Sequence, residues 1–277
     1  MRILVTGAGG MLGSAVARQL GAEHELILLS REALDVTDEG AVRACWAQTR
    51  PEGVIHLAAM TNVDACQRQP EQARLVNTIA TGWLAALAGE AGVPFLLVSS
   101  IAVFSGEAKW PYRETDVPGP INVYGETKLA AERLVRRYER HYIVRSGWLF
   151  GGGEQDKKFV PLILRLARER EEIPVVADCV GSPTYVEDLA VGLGRFMVGE
   201  MPFGTYHLVN EGERVTRLGL AEAIKAEVGF EARLRPVSSD YFPQLAQRPA
   251  MEAACSDYVG GWLRPWRAAL ADYLGAL

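Results

Sequence analysis

Residues 2–20 read RILVTGAGGMLGSAVARQL, and the rest of the chain is best read outward from them. Ile3, Leu4 and Val5 form an apolar run of the length expected for a strand buried on both faces. The run stops at Thr6-Gly7, and Gly7, Gly10 and Gly13 come next at three-residue spacing. From Gly13 onward an alanine- and leucine-containing segment predicts a helix. Strand, glycine turn and helix in that order make an anion site. The helix N-terminus offers unpaired N–H groups and partial positive charge, and glycines let a pyrophosphate approach the backbone closely. Glycine spacing alone carries little in a chain with 28 glycines. Its place between a strand and a helix reads as a dinucleotide site.

The same alternation continues. Apolar runs at Ile3–Val5, Leu26–Leu29, Val54–Ala58, Phe95–Val98 and Tyr142–Arg145 predict strands. Helical patterns fall between them near 10–20, 38–49, 71–91 and 124–140. In the third, Leu75, Ile79, Trp83 and Leu87 recur every four residues and read as a core-facing stripe. This rhythm predicts an α/β fold of the Rossmann type, a doubly wound parallel sheet. Such sheets bind ligands beyond the carboxyl ends of their strands. Those ends are Gly7–Gly13, Ser30–Arg31, Ala58–Thr61, Ser99–Ser100 and Ser146–Trp148.

After Trp148 the rhythm loosens. Gly151-Gly152-Gly153 breaks the chain, and a charged helix is expected near 157–171. Short strands are expected at Val175–Ala177 and Tyr206–Val209, and helices near 187–199 and 217–228. Residues 1–150 are thus expected to form a dinucleotide-binding domain. Residues 151–277 form mostly a smaller C-terminal substrate-binding lobe, with parts of 174–215 returning to the first domain.

Composition narrows the function. The chain has 277 residues, 49% of them hydrophobic, and a formal charge of −5, which argues against a disordered chain and against a nucleic-acid partner. No apolar run approaches the ~20 residues of a membrane span, and the N-terminus reads as a core strand, not a signal peptide. Cys45, Cys66, Cys179 and Cys255 are scattered, with no CxxC and no histidine at metal spacing. They read as reduced thiols of a cytoplasmic protein without a metal site of its own.

Several residues point to chemistry. Tyr124 and Lys128 stand four apart at the start of a predicted helix and share a face. The chain has nine tyrosines and only five lysines, and this is its one Tyr-x-x-x-Lys. An ammonium beside a phenol favours the phenolate and makes the phenol a better proton donor and acceptor. Ser100 ends the fourth strand and can donate a hydrogen bond to a substrate carbonyl. The second strand ends in Leu28-Leu29-Ser30-Arg31, without the carboxylate that takes a ribose 2′-OH. Arg31 can pair instead with a 2′-phosphate, which favours NADPH over NADH. Asp35 and Val36 fall where the chain can run beneath an adenine, and Asp38 or Thr37 caps the next helix. Trp148 can wall the sugar or nicotinamide pocket. His56, inside an apolar strand, reads as a satisfied core histidine. Ser105–Val123 holds Pro111, Pro118 and Pro120 and reads as a long functional loop.

VTGAGGMLG, Ser100 and YGETK together resemble the extended short-chain dehydrogenase/reductase family. HLAAMTNVDACQRQPEQARLVN, VYGETKLAAE, RSGWLFG, VGSPTYVEDLA, QRP and LRPWRAAL narrow the resemblance to the branch that reduces dTDP-4-keto-6-deoxysugars. The resemblance implies that Tyr124 is the proton donor, that Lys128 holds the nicotinamide ribose, and that Ser100 helps bind the reacting sugar. It places cofactor contacts on Gly10, Met11, Leu12, Ser30, Asp35, Val36, Ala58, Ala59, Met60 and Thr61, and substrate contacts on Ser100, Ile101, Val63 and Trp148. It implies conversion of dTDP-4-dehydro-L-rhamnose to dTDP-L-rhamnose with NADPH or NADH, a homodimer, and Mg2+ at a subunit contact. One departure stands out. The family's Ser-Thr-Asp-Tyr-Val-Phe is here Ser99-Ser100-Ile101-Ala102-Val103-Phe104, similar to the matching segment of nucleotide-sugar epimerases. Two alternatives therefore stay open: another nucleotide-sugar epimerase or dehydratase, and a non-catalytic subunit resembling the regulatory subunit of methionine adenosyltransferase.

Overall fold

A computed structural model describes residues 1–153, 156 and 158–277. The first half runs β1 (Arg2–Thr6), α1 (Met11–Leu20), β2 (Glu25–Leu29), α2 (Glu39–Thr49) and β3 (Gly53–His56). Next come α3 (Val63–Arg68), α4 (Pro70–Arg74), α5 (Ala80–Ala91), β4 (Phe95–Ser100), α6 (Val123–Val135) and β5 (His141–Ser146). The chain then leaves the sheet through β6 (Leu149–Phe150), α7 (Phe159–Glu169), β7 (Glu172–Val176), β8 (Val180–Gly181) and β9 (Thr184–Tyr185). It returns with α8 (Val186–Met197) and β10 (Gly204–His207). It finishes with β11 (Val215–Thr216), α9 (Arg217–Val228), β12 (Arg233–Val237), β13 (Met251–Glu252) and α10 (Trp266–Gly275).

Six parallel strands form one sheet in the order β2-β1-β3-β4-β5-β10. The strand order reverses between β1 and β3, which opens a crevice at the carboxyl ends there. Side chains alternate across the sheet. Ile3 and Val5 pack on α1 and α8, whereas Leu4 packs against the layer holding α2, α5 and α6. With both faces covered, the strands need continuous apolar sequence, and this is why they are readable as short runs. A second core joins α7, α9 and α10 to the paired strands β7 and β12. The short strands β11, β8 and β13 form a small sheet beside it.

Two expected helices need correction. The segment expected as one helix over 71–91 is α4, a π-helical turn at Leu75–Ile79, and α5. A π turn takes an extra residue and rotates the helix beyond it. The stripe Leu75, Ile79, Trp83, Leu87 therefore does not face the core as a unit: Ile79 is 39% exposed, while Ala80, Leu84, Ala85 and Ala88 are buried. The helix expected over 124–140 ends at Val135, where bonds from Arg137 to Leu134 and Tyr138 to Val135 tighten the chain into turns. The two late strands part company. Val175 lies in β7, paired with β12, whereas Tyr206 lies in β10 and extends the main sheet. The expected start of the charged helix, Lys157, lies outside the described residues; α7 begins at Phe159. No described helix is long and apolar enough to cross a membrane.

Candidate active site

A cleft of about 1330 Å³ runs along the carboxyl ends of the sheet and under the second lobe. It exceeds the ~300–1,000 Å³ of a pocket for a single drug-sized ligand. At one end lies the glycine turn. Gly7 has φ +70°, and a Cβ there would stand 2.7 Å from the Ala58 backbone nitrogen. A Cβ on Gly13 would stand 2.4 Å from the Gly7 carbonyl oxygen. Both positions admit only glycine, and the turn closes tightly enough to aim α1 at the cleft. No side chain caps α1 at Gly10, and its first turn carries no acid. Its terminal N–H groups and dipole thus remain for an anion, which fits a dinucleotide's pyrophosphate.

The floor of the turn is set by a buried clamp. Thr6 Oγ1 lies 2.7 Å from His56 Nδ1, and His56 Nε2 lies 3.0 Å from Thr81 Oγ1. Thr81 donates to the Asn77 carbonyl, so it accepts from Nε2–H, which leaves Nδ1 to accept from Thr6. His56 is 1% exposed, and burial, with the Lys128 charge adding to it, pushes its pKa down to about 3. It is a neutral core histidine, as its sequence context predicts.

Arg31, Asp35, Val36, Ala58, Ala59, Met60 and Thr61 line the cleft, as do Gly10, Met11 and Leu12. Ser30 does not. Its hydroxyl donates to Glu32 Oε2 at 2.7 Å, and Glu32 itself lines the wall. The strand end that lacks an acid in sequence thus presents one from the following turn, beside Arg31. The bond from Ser30 holds the Glu32 carboxyl below the usual range. Asp35 is held down likewise by Thr37, which donates through both its hydroxyl and its N–H. Asp38 caps α2 by accepting from Ala41 N. Asn77, on the π turn, carries no mark of its role in the sequence. Its amide grips Met60 from both sides, accepting from Met60 N at 2.7 Å and donating to Met60 O at 3.1 Å.

At the other end stands the pair on α6. Asn122 caps the helix, accepting from Gly125 N at 2.9 Å. Tyr124 and Lys128 come one turn apart on the cleft wall with Ser100. Burial raises the Tyr124 pKa to about 12, with Ser100 nearby opposing the shift, while the Ser100 hydroxyl accepts from Ala102 N at 3.1 Å. Lys128 is 3% exposed, donates to the Val98 carbonyl at 2.8 Å, and is pushed down to about 8 by burial. Glu132, one turn further, counters that shift. Glu132 is itself fully buried and accepts from Ser99 at 2.6 Å, from Arg145 at 2.9 and 2.7 Å, and from Arg136 at 3.0 Å. These bonds tie α6 to β4 and β5 directly behind the site.

The second lobe supplies the facing wall. Trp148 and Val63 line the cleft, whereas Ile101 does not reach it. Ile101 is 1% exposed and packs with Val103, Phe104, Tyr112 and Met251, because the turn after β4 folds it inward. Trp148 has φ +46°, a left-handed conformation that costs a non-glycine residue ~1–2 kcal/mol. Its indole donates to Glu252 Oε2 at 2.9 Å and lies under the Arg217 guanidinium at 3.5 Å. Burial lowers the Arg217 pKa to about 10, with Glu252 opposing. Ser146, at a strand end expected to face ligands, lines the cleft, as do Glu252, Arg217 and Cys179, to which sequence reasoning gave no role in the site. The Ser146 hydroxyl is buried with no hydrogen-bond partner among the described residues. Arg248 of the strap 239–250 pairs with Asp64 of α3 at 3.1 Å, joining the two walls.

A glycine-turn dinucleotide cleft with Tyr-x-x-x-Lys and a serine at its far end defines the class: an extended short-chain dehydrogenase/reductase. The family model described as RmlD substrate binding domain matches residues 1–277, and the chain belongs to that family. It is 38% identical to a dTDP-4-dehydrorhamnose reductase of Mycolicibacterium smegmatis, over 100% of this chain and 86% of the other. It is 34% identical to the spore coat polysaccharide biosynthesis protein SpsK of Bacillus subtilis, over 99% and 96%. Among solved structures it superposes on a dTDP-4-dehydrorhamnose reductase of Bacillus anthracis in complex with NADP. There the TM-score is 0.94 and the identity 32%, over 100% of this chain and 99% of that one.

Proposed function

We propose that this chain is an NADPH-dependent reductase that converts dTDP-4-dehydro-L-rhamnose to dTDP-L-rhamnose in nucleotide-sugar biosynthesis. The observation that carries this reading is the convergence of Tyr124, Lys128 and Ser100 on a cleft whose other end is the uncapped α1. Bound NADPH supplies the hydride that reduces C4. Tyr124 gives its phenolic proton to the C4 oxygen as negative charge develops there. The Ser100 hydroxyl bonds the same oxygen and steadies the phenolate left behind, and the buried Lys128 ammonium stabilises that phenolate through space. Gly7, Gly10, Met11, Leu12 and Gly13 would hold the pyrophosphate and Arg31 the 2′-phosphate of NADPH, while the Glu32 carboxylate beside Arg31 would accept from the ribose 2′-OH of NADH. Arg217, a guanidinium with no ion pair among the described residues, meets the substrate's diphosphate.

Ile101 and Ala102 are both buried and bring no carboxylate to the cleft, which counts against a dehydratase. The reading includes a homodimer acting in the cytoplasm, with Mg2+ at the subunit contact. Among the described residues no three His, Cys, Asp or Glu side chains stand together as a site for an ion. Gel filtration with and without EDTA tests that part.

NADPH oxidation with dTDP-4-dehydro-L-rhamnose, run beside the GDP- and UDP-linked analogues, tests the reaction. Turnover is expected with the dTDP sugar. Tyr124→Phe is expected to lose at least ~10²-fold in kcat while binding NADPH as before. Near-wild-type turnover in that variant removes Tyr124 from the mechanism. No oxidation with any sugar, together with a stoichiometric partner in a pull-down, favours the regulatory subunit.

A further inference from the structure

The facing wall holds a carboxylate that the reaction does not use. Glu252 lies at the end of β13, which runs parallel to β8 in a register that sets it beside Gly181. Trp148 packs on Gly181 so closely that a Cβ there would stand 2.2 Å from the indole. Arg217 covers the indole at 3.5 Å. The strained Trp148 backbone is thus held by three separate contacts, and the indole N–H is aimed at one oxygen of Glu252. The other oxygen, Oε1, makes no hydrogen bond or ion pair among the described residues. Glu252 is half-buried, lines the cleft, and stands close enough to Tyr124 for its charge to be felt by the phenol. An ionised carboxylate only accepts, so this oxygen calls for a donor on the ligand. On the lobe side of the reacting carbon, a hexose offers hydroxyl groups as donors.

We propose that Glu252 reads the sugar: its Oε1 accepts a hydrogen bond from the C3 hydroxyl, next to the carbon that is reduced, while Trp148 holds Oε2. The proposal rests on the reductase reading above and deepens it to a specificity contact. Trp148 acts here as the positioning residue for Glu252, its ring already covered by Arg217.

The test uses steady-state kinetics of wild type, Glu252→Ala and Glu252→Gln. Each is run on dTDP-4-dehydro-L-rhamnose and on the analogue with hydrogen in place of the C3 hydroxyl. A hydrogen bond to a charged acceptor corresponds to a ~10- to 100-fold effect. Glu252→Ala is expected to raise KM by that factor with the loss carried in KM, and Glu252→Gln by less. Wild type is expected to lose the same factor on the 3-deoxy analogue, and Glu252→Ala nothing further. Unchanged NADPH affinity and Tm in both variants show that the cleft is intact. Independent, additive losses from the substitution and the missing hydroxyl overturn the proposal and leave the reductase reading standing. Wild type that neither reduces the sugar nor binds dTDP-L-rhamnose overturns both.

Discussion

Lys128 is the residue in which function and stability conflict most openly. Its ammonium is buried against a backbone carbonyl and near a neutral histidine, and burial pushes its pKa down to about 8 from an ordinary 10.5. The unfolded chain therefore keeps this proton between pH 8 and 10.5, while the folded one gives it up. The unfolded state binds more protons in that window, so the stability Lys128 forfeits below pH 8 is recovered as pH rises toward 10.5. Activity runs the other way, because a neutral amine no longer supports a phenolate. Turnover is expected to fall above about pH 8, and Tyr124, which titrates near 12, plays no part in that limb. Lys128→Met is expected to lose at least ~10²-fold in turnover and to show no such limb. Its stability relative to wild type, followed by urea unfolding, should shrink steadily from pH 8 to 10.5. A difference independent of pH would mean that the lysine is not titrating in the folded core.

At the scale of elements, α6 is the piece that must be held still, and the bonds of Glu132 hold it. Arg145 is 1% exposed and, among the described residues, finds its counter-charge only in Glu132. Breaking a buried pair leaves an uncompensated charge and costs about 3–5 kcal/mol. Glu132→Gln is expected to lose stability on that scale in urea unfolding. The double variant Glu132→Leu, Arg145→Met should lose less than either single change, since no charge is then stranded. The elements legible in the sequence share one property: their signal is local. Strands buried on both faces must be apolar throughout, the glycine turn tolerates nothing else, and Tyr124 and Lys128 are one helical turn apart. The remaining site residues are non-local or out of phase. Glu32 enters through a turn, and Asn77 sits on a π turn that breaks the 3.6-residue period. Glu252 and Arg217 ride on a two-residue strand and a helix start, whose sequences carry no periodic mark, and only tertiary packing brings them to Trp148.

Over the whole molecule, the two lobes do not divide at one peptide bond. Val186, Leu189, Leu193 and Phe196 of α8 are fully buried in the same cluster as Ile3, Val5 and Val16. Each large apolar side chain so buried contributes ~1.5–3 kcal/mol. A fragment ending at residue 150 lacks α8 and β10 and leaves β5 as a bare sheet edge. It is expected to be unfolded or aggregated by circular dichroism and gel filtration. Residues 1–210 should recover the parallel sheet. A soluble, cooperatively folding 1–150 fragment would show that the returning elements are ornament.

That interleaving also governs how the cleft can open. The lobe is tied to the sheet near Gly147, again at Val186 and again after His207, so it hangs like a door on several hinges. The Arg248–Asp64 pair is a further tie, joining residue 248 to α3 on the opposite wall. Fluorescent labels on either side of that pair are expected to report any change in the separation of the two walls as one distance.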